Sequence, residues 1–373
     1  MNEDRASRYH RLRRRAIMAA IAVGAAYLFL LAWTGSASAL WQLVSSLIPR
    51  AVPRGSTPLA FAAYVVLLAA GYEILELPLV FYRGYLLERR YGLSSESLRV
   101  WTADHVKAAL VGLLLTLGGA FVLYAAVRVS AAWWWLLCAL VFAAVDTALA
   151  NLAPVVLLPL FYRFRPLERD ALRERLIALS ARAGVPVLGA FEWGLGEKTR
   201  RANAALVGLG RTRRILLSDT LLAGYSDDEI EVILAHELAH HVHRDIWTAL
   251  VVDSAVVTGG LWAAHLIVRA WGGAFGVSGP ADPAALPLLV LSASAVSLLM
   301  TPLGNAWSRY NERRADRFAL GLTDRPTAFI SAMRRLGAQN LAEERPSPAV
   351  FWFFHTHPTI DERIDTARRF NAA

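Results

Sequence analysis

His236-Glu237-Leu238-Ala239-His240 sets two imidazoles four residues apart, with a carboxylate beside the first. On an α-helix, residues i and i+4 share a face, so His236 and His240 can hold one metal ion together. Glu237 lies one position round and can reach a water bound to the same ion. The chemistry of such a set is hydrolysis, with Glu237 as general base. The pattern is short, so its context carries the argument. Ser226 followed by Glu229 reads as a capping box, and Asp227, Asp228 and Glu229 suit the positive end of a helix dipole. Ile230, Ile233 and Leu234 then keep an apolar face at helical spacing. The bland alternative is a surface helix with ordinary histidines, of which His241 and His243 would be further members.

Catalytic zinc generally takes three protein ligands and keeps one position open for water. Residues 308–316 offer Glu312 and Asp316, again four apart on an expected helix. Glu312 would complete a His-His-Glu set, and Asp316 could accept the free ring N–H of a ligand histidine. The alternative for this Glu/Asp/Arg mixture is a solvated, salt-bridged helix face. Its place directly after an apolar span weighs against that. The run His355-Thr356-His357-Pro358 precedes a terminal helix and, taken alone, reads as a turn.

In order along the chain, these residues resemble the M48 zinc metalloproteases, the family of Ste24-like CAAX prenyl proteases and HtpX-like membrane peptidases. The resemblance runs through Gly92 with Trp101, Asp104 and Lys107, then Pro159-Leu160-Phe161. It continues through Asn203-Ala204 with Gly208, Ser218-Asp219-Thr220-Leu221 and the H-E-x-x-H run. Glu312 with Asp316, and His357-Pro358 with Arg363-Ile364, complete it. The resemblance implies one zinc ion per chain, with His236, His240 and Glu312 as ligands and Glu237 as general base. It implies that Asp316 orients a ligand with Arg363 as counter-charge, and that His357 stabilises the oxyanion. Asn203, Ala204 and Gly208 fall in a segment resembling the edge strand that pairs with substrate backbone. Residues 193–197, Trp-Gly-Leu-Gly-Glu, depart from the family's Asp-Ser-type run there, so contacts near the substrate are expected to differ.

The elements that must position these groups follow from composition. The chain is 56% hydrophobic and 18% charged, and runs near 20 apolar residues are long enough to cross a bilayer as helices. Spans are expected near 16–34, 58–82, 107–127, 132–162, 246–268 and 285–303, the second and fourth long enough to tilt or extend beyond the membrane. Glu73, Glu76, Asp146, Asn151 and Asp253 lie inside these runs and are expected to face an internal aqueous space. The net charge of +9 is not a nucleic-acid signal. Its cations gather in residues 5–15, 83–107, 163–214 and the C-terminal segment. Loops 35–57 and 269–284 carry only Arg50, Arg54, Arg269 and Asp282. The positive-inside rule then makes the N-terminus, both basic loops and the C-terminus cytoplasmic, with both ligand sets meeting at that membrane face. Ala37-Ser38-Ala39 after the first apolar run could mark signal cleavage, but 19 apolar residues favour an uncleaved span. Cys138, alone and inside a span, excludes an intrachain disulfide.

The expected fold is therefore mainly α: a polytopic membrane protein of about six transmembrane helices with a zincin-like cytoplasmic metalloprotease domain carrying a small β-sheet. Residues 1–162 form the membrane region with four spans. Residues 163–373 form the peptidase domain with two more spans and C-terminal helices. Short strands are expected at 191–193, 204–207 and 214–217, and helices at 166–184 and 226–243. The expected partners are membrane lipid and a peptide or protein substrate, either a CAAX-type C-terminal peptide or a misfolded membrane protein. High Ala and Arg content points to a bacterial plasma membrane, a source that would favour the misfolded-protein or general endopeptidase reading. A six-span transporter and a catalytically silent metal-binding scaffold are the competing functions; oligomeric state is beyond the sequence.

Overall fold

The computed structural model describes residues 4–47, 56–152, 156–208 and 210–372. Arg50, Arg54 and residues 153–155 of the expected fourth span lie outside them. Six helices have the length and apolar content to cross a membrane. They begin with α1 (Arg5–Trp33), which is followed by a short α2 (Ser36–Leu47) where the sequence suggested only a loop. Next come α3 (Ser56–Phe81), prolonged to Arg90 through a π-turn, then α4 (Leu98–Val129) and α5 (Trp134–Leu152). After the soluble insertion come α8 (Asp245–Trp271) and α9 (Leu286–Thr323). Every span but the fourth runs beyond its expected bounds, because helices continue past the membrane wherever polar partners exist for them. The fourth is described as α5 up to Leu152, and the chain is helical again at Leu158–Phe161, on the far side of residues 153–155.

Contacts close these helices into a ring in the order α1, α3, α4, α5, α8, α9 and back to α1. A cavity of about 1210 Å³ lies among α1, α3, α4 and α9, lined mainly by apolar side chains. Glu73 reaches it and bonds His105 Nε2 at 2.7 Å, so this intramembrane carboxylate faces a space inside the bundle and has a partner there. Glu76 is buried rather than cavity-facing.

The insertion contains β1 (Phe164–Pro166), α6 (Asp170–Arg182), β2 (Ala190–Trp193), β3 (Ala204–Val207), β4 (Arg214–Ser218) and α7 (Asp227–Val242). The expected helix at 166–184 starts four residues late. Pro166 instead ends an edge strand pairing with Phe191, where its missing N–H costs nothing. Sheet order is β1-β2-β4-β3, with β2 and β4 parallel and the other pairs antiparallel. β3 is thus an edge. After α9, helices α10 (Pro326–Gln339), α11 (Pro348–Phe354) and α12 (Ile360–Asn371) close over α7 and α9. The soluble core packs Leu172, Leu176 and Leu179 of α6, Ile215 and Leu217 of β4, and Phe329 of α10 around Ile230, Leu234 and Leu238 of α7.

Polar contacts seat this core on the membrane helices. Lys198 Nζ bonds the Phe161 carbonyl at 2.5 Å and pairs with Asp104. The backbone of Ser95 donates to Lys198, and that of Arg200 donates to Leu93. Arg201 Nη2 lies 2.8 Å from Glu88 Oε2 and 2.7 Å from the Tyr9 hydroxyl, joining the insertion to α1 and to the extension of α3. Arg201→Gln leaves Glu88 half-buried without its cation and is expected to cost about 1–3 kcal/mol. A clearly lowered Tm in detergent would check this; an unchanged Tm would mean the contact carries no docking energy.

Candidate active site

The capping box foreseen at the start of α7 is present. Glu229 N donates to Ser226 Oγ at 3.3 Å, and Ser226 N donates to Glu229 Oε2 at 2.8 Å. It fixes where the helix begins, and so the face on which His236 and His240 project. Their rings meet edge to face with centroids 5.1 Å apart. Glu312 projects from α9 between them. Its Oε2 is 3.1 Å from His236 Nε2, and its Oε1 is 3.5 Å from His240 Nε2.

Each imidazole is held from behind. His236 Nδ1 lies 2.9 Å from Asp316 Oδ1, and His240 Nδ1 lies 2.8 Å from Asp245 Oδ2. A ring nitrogen donating to a carboxylate leaves the opposite nitrogen as a lone-pair donor, so both Nε2 atoms face Glu312. Arg363 grips Asp316 with two bonds, Nε to Oδ2 at 2.9 Å and Nη2 to Oδ1 at 2.6 Å. Sharing Oδ1 brings its Nη2 to 3.2 Å from His236 Nδ1 as well. Arg314 pairs with Asp245 through a single contact, Nη2 to Oδ1.

Asp245 is the site residue that sequence reasoning missed. It follows His240 by five residues across a helix break, where no periodic rule links the two. Arg244 between the helices adopts a left-handed conformation (φ 59°), reversing the chain so that Asp245 at the start of α8 turns back on the histidine. The available signal was an acidic residue placed to open the next helix.

The trio fits a divalent cation on three grounds. One donor atom from each residue lies within 4.8 Å of the others. Glu312 Oε2 is buried without a hydrogen bond of acceptable geometry. Asp316 and Asp245 have guanidinium partners in Arg363 and Arg314, whereas among the described residues Glu312 is met only by imidazoles, so a cation suits it. Burial and Arg363 would depress the His236 pKa, but Asp316 and Glu312 carry it up to about 9. A cation entering the site displaces that proton. Burial raises the Glu237 pKa above the ordinary carboxylate value, toward the range useful to a general base.

His357 also arrives at the site, its Nε2 3.4 Å from Glu312 Oε1 with much of the ring open to solvent. β3 lies beside α7. Asn203 O accepts from Ser218 N at 2.9 Å, so residues 203, 205 and 207 bond β4 while the backbone of Ala204 and Leu206 turns outward. The Leu206 carbonyl accepts from His241 Nε2 at 3.0 Å, which gives that histidine a structural task. Gly208 ends the strand at φ 85°, where a Cβ would meet the Thr212 carbonyl at 2.7 Å. The Asn203 side chain is exposed, and its backbone N–H donates to Ser218 Oγ at 2.9 Å.

Two histidines and a glutamate that fit a cation, placed at the ends of membrane-length helices, are the arrangement of an integral-membrane metallopeptidase. Comparison with known proteins makes the class particular. Residues 166–371 match Peptidase family M48, and residues 2–163 match the CAAX prenyl protease N-terminal region, described as five membrane helices. Among the described residues, four helices in that stretch have membrane-spanning length, and α2 has 12 residues. The uncharacterized metalloprotease YhfN of Bacillus subtilis is 31% identical over 290 residues, 77% of this chain and 68% of that protein. CAAX prenyl protease 1 of Saccharomyces cerevisiae is 26% identical over 355 residues, 87% of this chain and 76% of that protein. The crystal structure of S. mikatae Ste24p shares the fold with a TM-score of 0.79 at 22% identity, covering 88% of this chain and 80% of that one.

The chain belongs to Peptidase family M48 and is a membrane zinc metallopeptidase. The transporter reading, which left the histidines and Glu312 without a role, falls away. Arg363→Met would leave Asp316 a buried charge with no counter-ion, at an expected cost of about 3–5 kcal/mol. Adding Asp316→Asn should recover much of the lost Tm; a double variant as unstable as the single would show that packing, not charge, set the loss.

Proposed function

We propose that this chain is a zinc endopeptidase that cleaves extended peptides at the cytoplasmic membrane face of a bacterial cell, with a CAAX-type C-terminal peptide as the favoured substrate. The observation that carries the reading is the pair of Nδ1–carboxylate bonds that turn both Nε2 atoms toward Glu312. His236, His240 and Glu312 are the ligands of one zinc ion per chain, Asp316 with Arg363 orients His236, and Asp245 orients His240. Zinc bound there supplies a Lewis acid and lowers the pKa of its water. Glu237 takes the proton of the attacking water and returns it to the leaving amine.

The Thr356 hydroxyl lies 2.8 Å from His357 Nδ1. With that hydroxyl donating, the ring proton sits on Nε2, the nitrogen turned to the site. His357 then donates to the oxyanion of the tetrahedral intermediate. The outward backbone of Ala204 pairs with an extended substrate by strand addition, between Asn203, which ties the strand to β4, and Gly208, which ends it. Residues 1–162 act as the membrane region and 163–373 as the peptidase domain. The clustering of cations on one set of loops supports the cytoplasmic side, and the Ala/Arg-rich composition with a Bacillus relative supports a bacterial plasma membrane.

Relatives named CAAX prenyl protease 1 support the substrate class. The apolar intramembrane cavity beside Glu73 and His105 supports a substrate with an apolar part. Misfolded membrane proteins are the other substrate class, and a silent metal-binding scaffold the other role; Glu237, the residue whose loss most simply disables such a site, argues against the scaffold.

Detergent-purified protein should cleave a farnesylated CAAX peptide in preference to casein and lose the activity on chelation. Casein cleavage alone would move the substrate to unfolded protein, and zinc without any cleavage would favour the scaffold. Glu237→Gln should keep stoichiometric zinc and lose nearly all turnover; full activity in it would remove Glu237 from the mechanism. Asp245→Asn should weaken zinc binding about 10- to 100-fold in chelator competition, and unchanged affinity would deny Asp245 its orienting role.

A further inference from the structure

We propose that Arg309 is a positioning residue for His357, a role that rests on the reading of His357 as the oxyanion donor. Helix α11 is only seven residues long; its Phe351 carbonyl accepts from His355 N at 3.3 Å, and the carbonyls after it have no partners within the helix. Two side chains of α9 reach this end of the helix. Asn305 Nδ2 donates to the Trp352 carbonyl at 3.2 Å and to the Phe353 carbonyl at 2.9 Å. Arg309 Nη1 donates to the Phe351 carbonyl at 3.2 Å and to the His355 carbonyl at 2.6 Å. Asn305 and Arg309 are four apart and lie on one face of α9.

Arg309 is 3% exposed, and among the described residues no carboxylate ion-pairs with it. Its charge is met by carbonyl oxygens and by the rings of Phe351 and Trp352, whose centroids lie 4.5 and 5.2 Å from the guanidinium carbon. Burying a guanidinium without a counter-ion is costly, and a neutral donor could cap one helix end more cheaply. What Arg309 adds is reach: one planar group spans two carbonyls four residues apart and ends two residues short of His357. It also sits three residues before Glu312 on the same helix. The metal ligand and the clamp on the His357 loop are thus parts of one rigid element, so the distance between Glu312 and His357 is set through Arg309. On the far side of the loop, Glu343 lies 3.3 Å from His355 Nε2 and is held by Arg14 of α1.

The test is a double-mutant cycle on zinc-loaded, detergent-solubilised full chain, using whichever of the two probes above it cleaves. Arg309→Met should lower kcat about 10- to 100-fold, the effect of misplacing a reacting group by about 1 Å. KM and zinc content should stay near wild type. Hydrogen exchange in residues 350–358 should rise, whether or not turnover is measurable. In a His357→Ala background the same substitution should add little further loss, because its effect runs through that ring. If Arg309→Met does not fold, Arg309→Lys and Asn305→Ala take its place in the cycle, with smaller expected losses of the same kind. Full additivity with His357→Ala, or unaltered exchange in the loop, would overturn the role of Arg309. Wild-type kcat in His357→Ala itself would instead overturn the oxyanion assignment on which it rests.

Discussion

A buried carboxylate between two imidazoles is the constraint around which this protein is built. Glu312 is 6% exposed and sits between two imidazoles. Such a charge cannot stay buried without compensation. Histidines can supply it only if their Nε2 atoms face inward, and those atoms face inward only if something behind them accepts the Nδ1 protons. Asp316 and Asp245 do so, and as buried carboxylates they each require a cation, met by Arg363 and Arg314. The layers alternate from the centre outward, and Glu312, which has imidazoles but no guanidinium beside it, is the carboxylate a cation would answer.

Delivering those layers to one point takes elements from distant parts of the chain. α7 brings both histidines and Glu237, α8 brings Asp245, and α12 brings Arg363. α9 brings four of the groups, Arg309, Glu312, Arg314 and Asp316. A helix of 38 residues is about 57 Å long, enough to cross the hydrocarbon layer and carry its polar end well beyond it. The same rod that closes the membrane ring against α1 and α8 therefore sets the position of Glu312. Site geometry and membrane packing are not independent in this protein, and contacts such as Lys198–Asp104 and Arg201–Glu88 tie the remaining edge down.

The ring also explains why one intramembrane carboxylate, Glu73, is tolerated, whereas Asp253, expected to face inward as well, is exposed on α8. Closed on itself, it leaves a cavity rather than a packed centre, and Glu73 with His105 lines it. Glu73 there meets His105 instead of lipid. That a protein with 22% identity shares this fold at a TM-score of 0.79 fits a scaffold specified by apolar span lengths and a few polar ties, since neither demands particular side chains at most positions.

What could be read from residues alone was whatever depends on local periodicity. The four-residue spacing of His236 and His240, the capping box at Ser226 and the lengths of the apolar runs are properties of single helices, and a helix has one geometry. Strand β3 was legible for the same reason. Glu312, Asp316, Arg363 and His357 came from the resemblance of the whole ordered set, with Glu312 and Asp316 also suggested by their spacing. The pairing of Asp245 with His240 depends on a left-handed turn at Arg244, and the clamp of Arg309 on residues 351–355 depends on two helices crossing. Pro166 in a strand and α2 in an expected loop belong with these, since each is decided by a neighbour distant in sequence. Such contacts are made through space between segments whose spacing along the chain carries no period, so only the tertiary structure decides them.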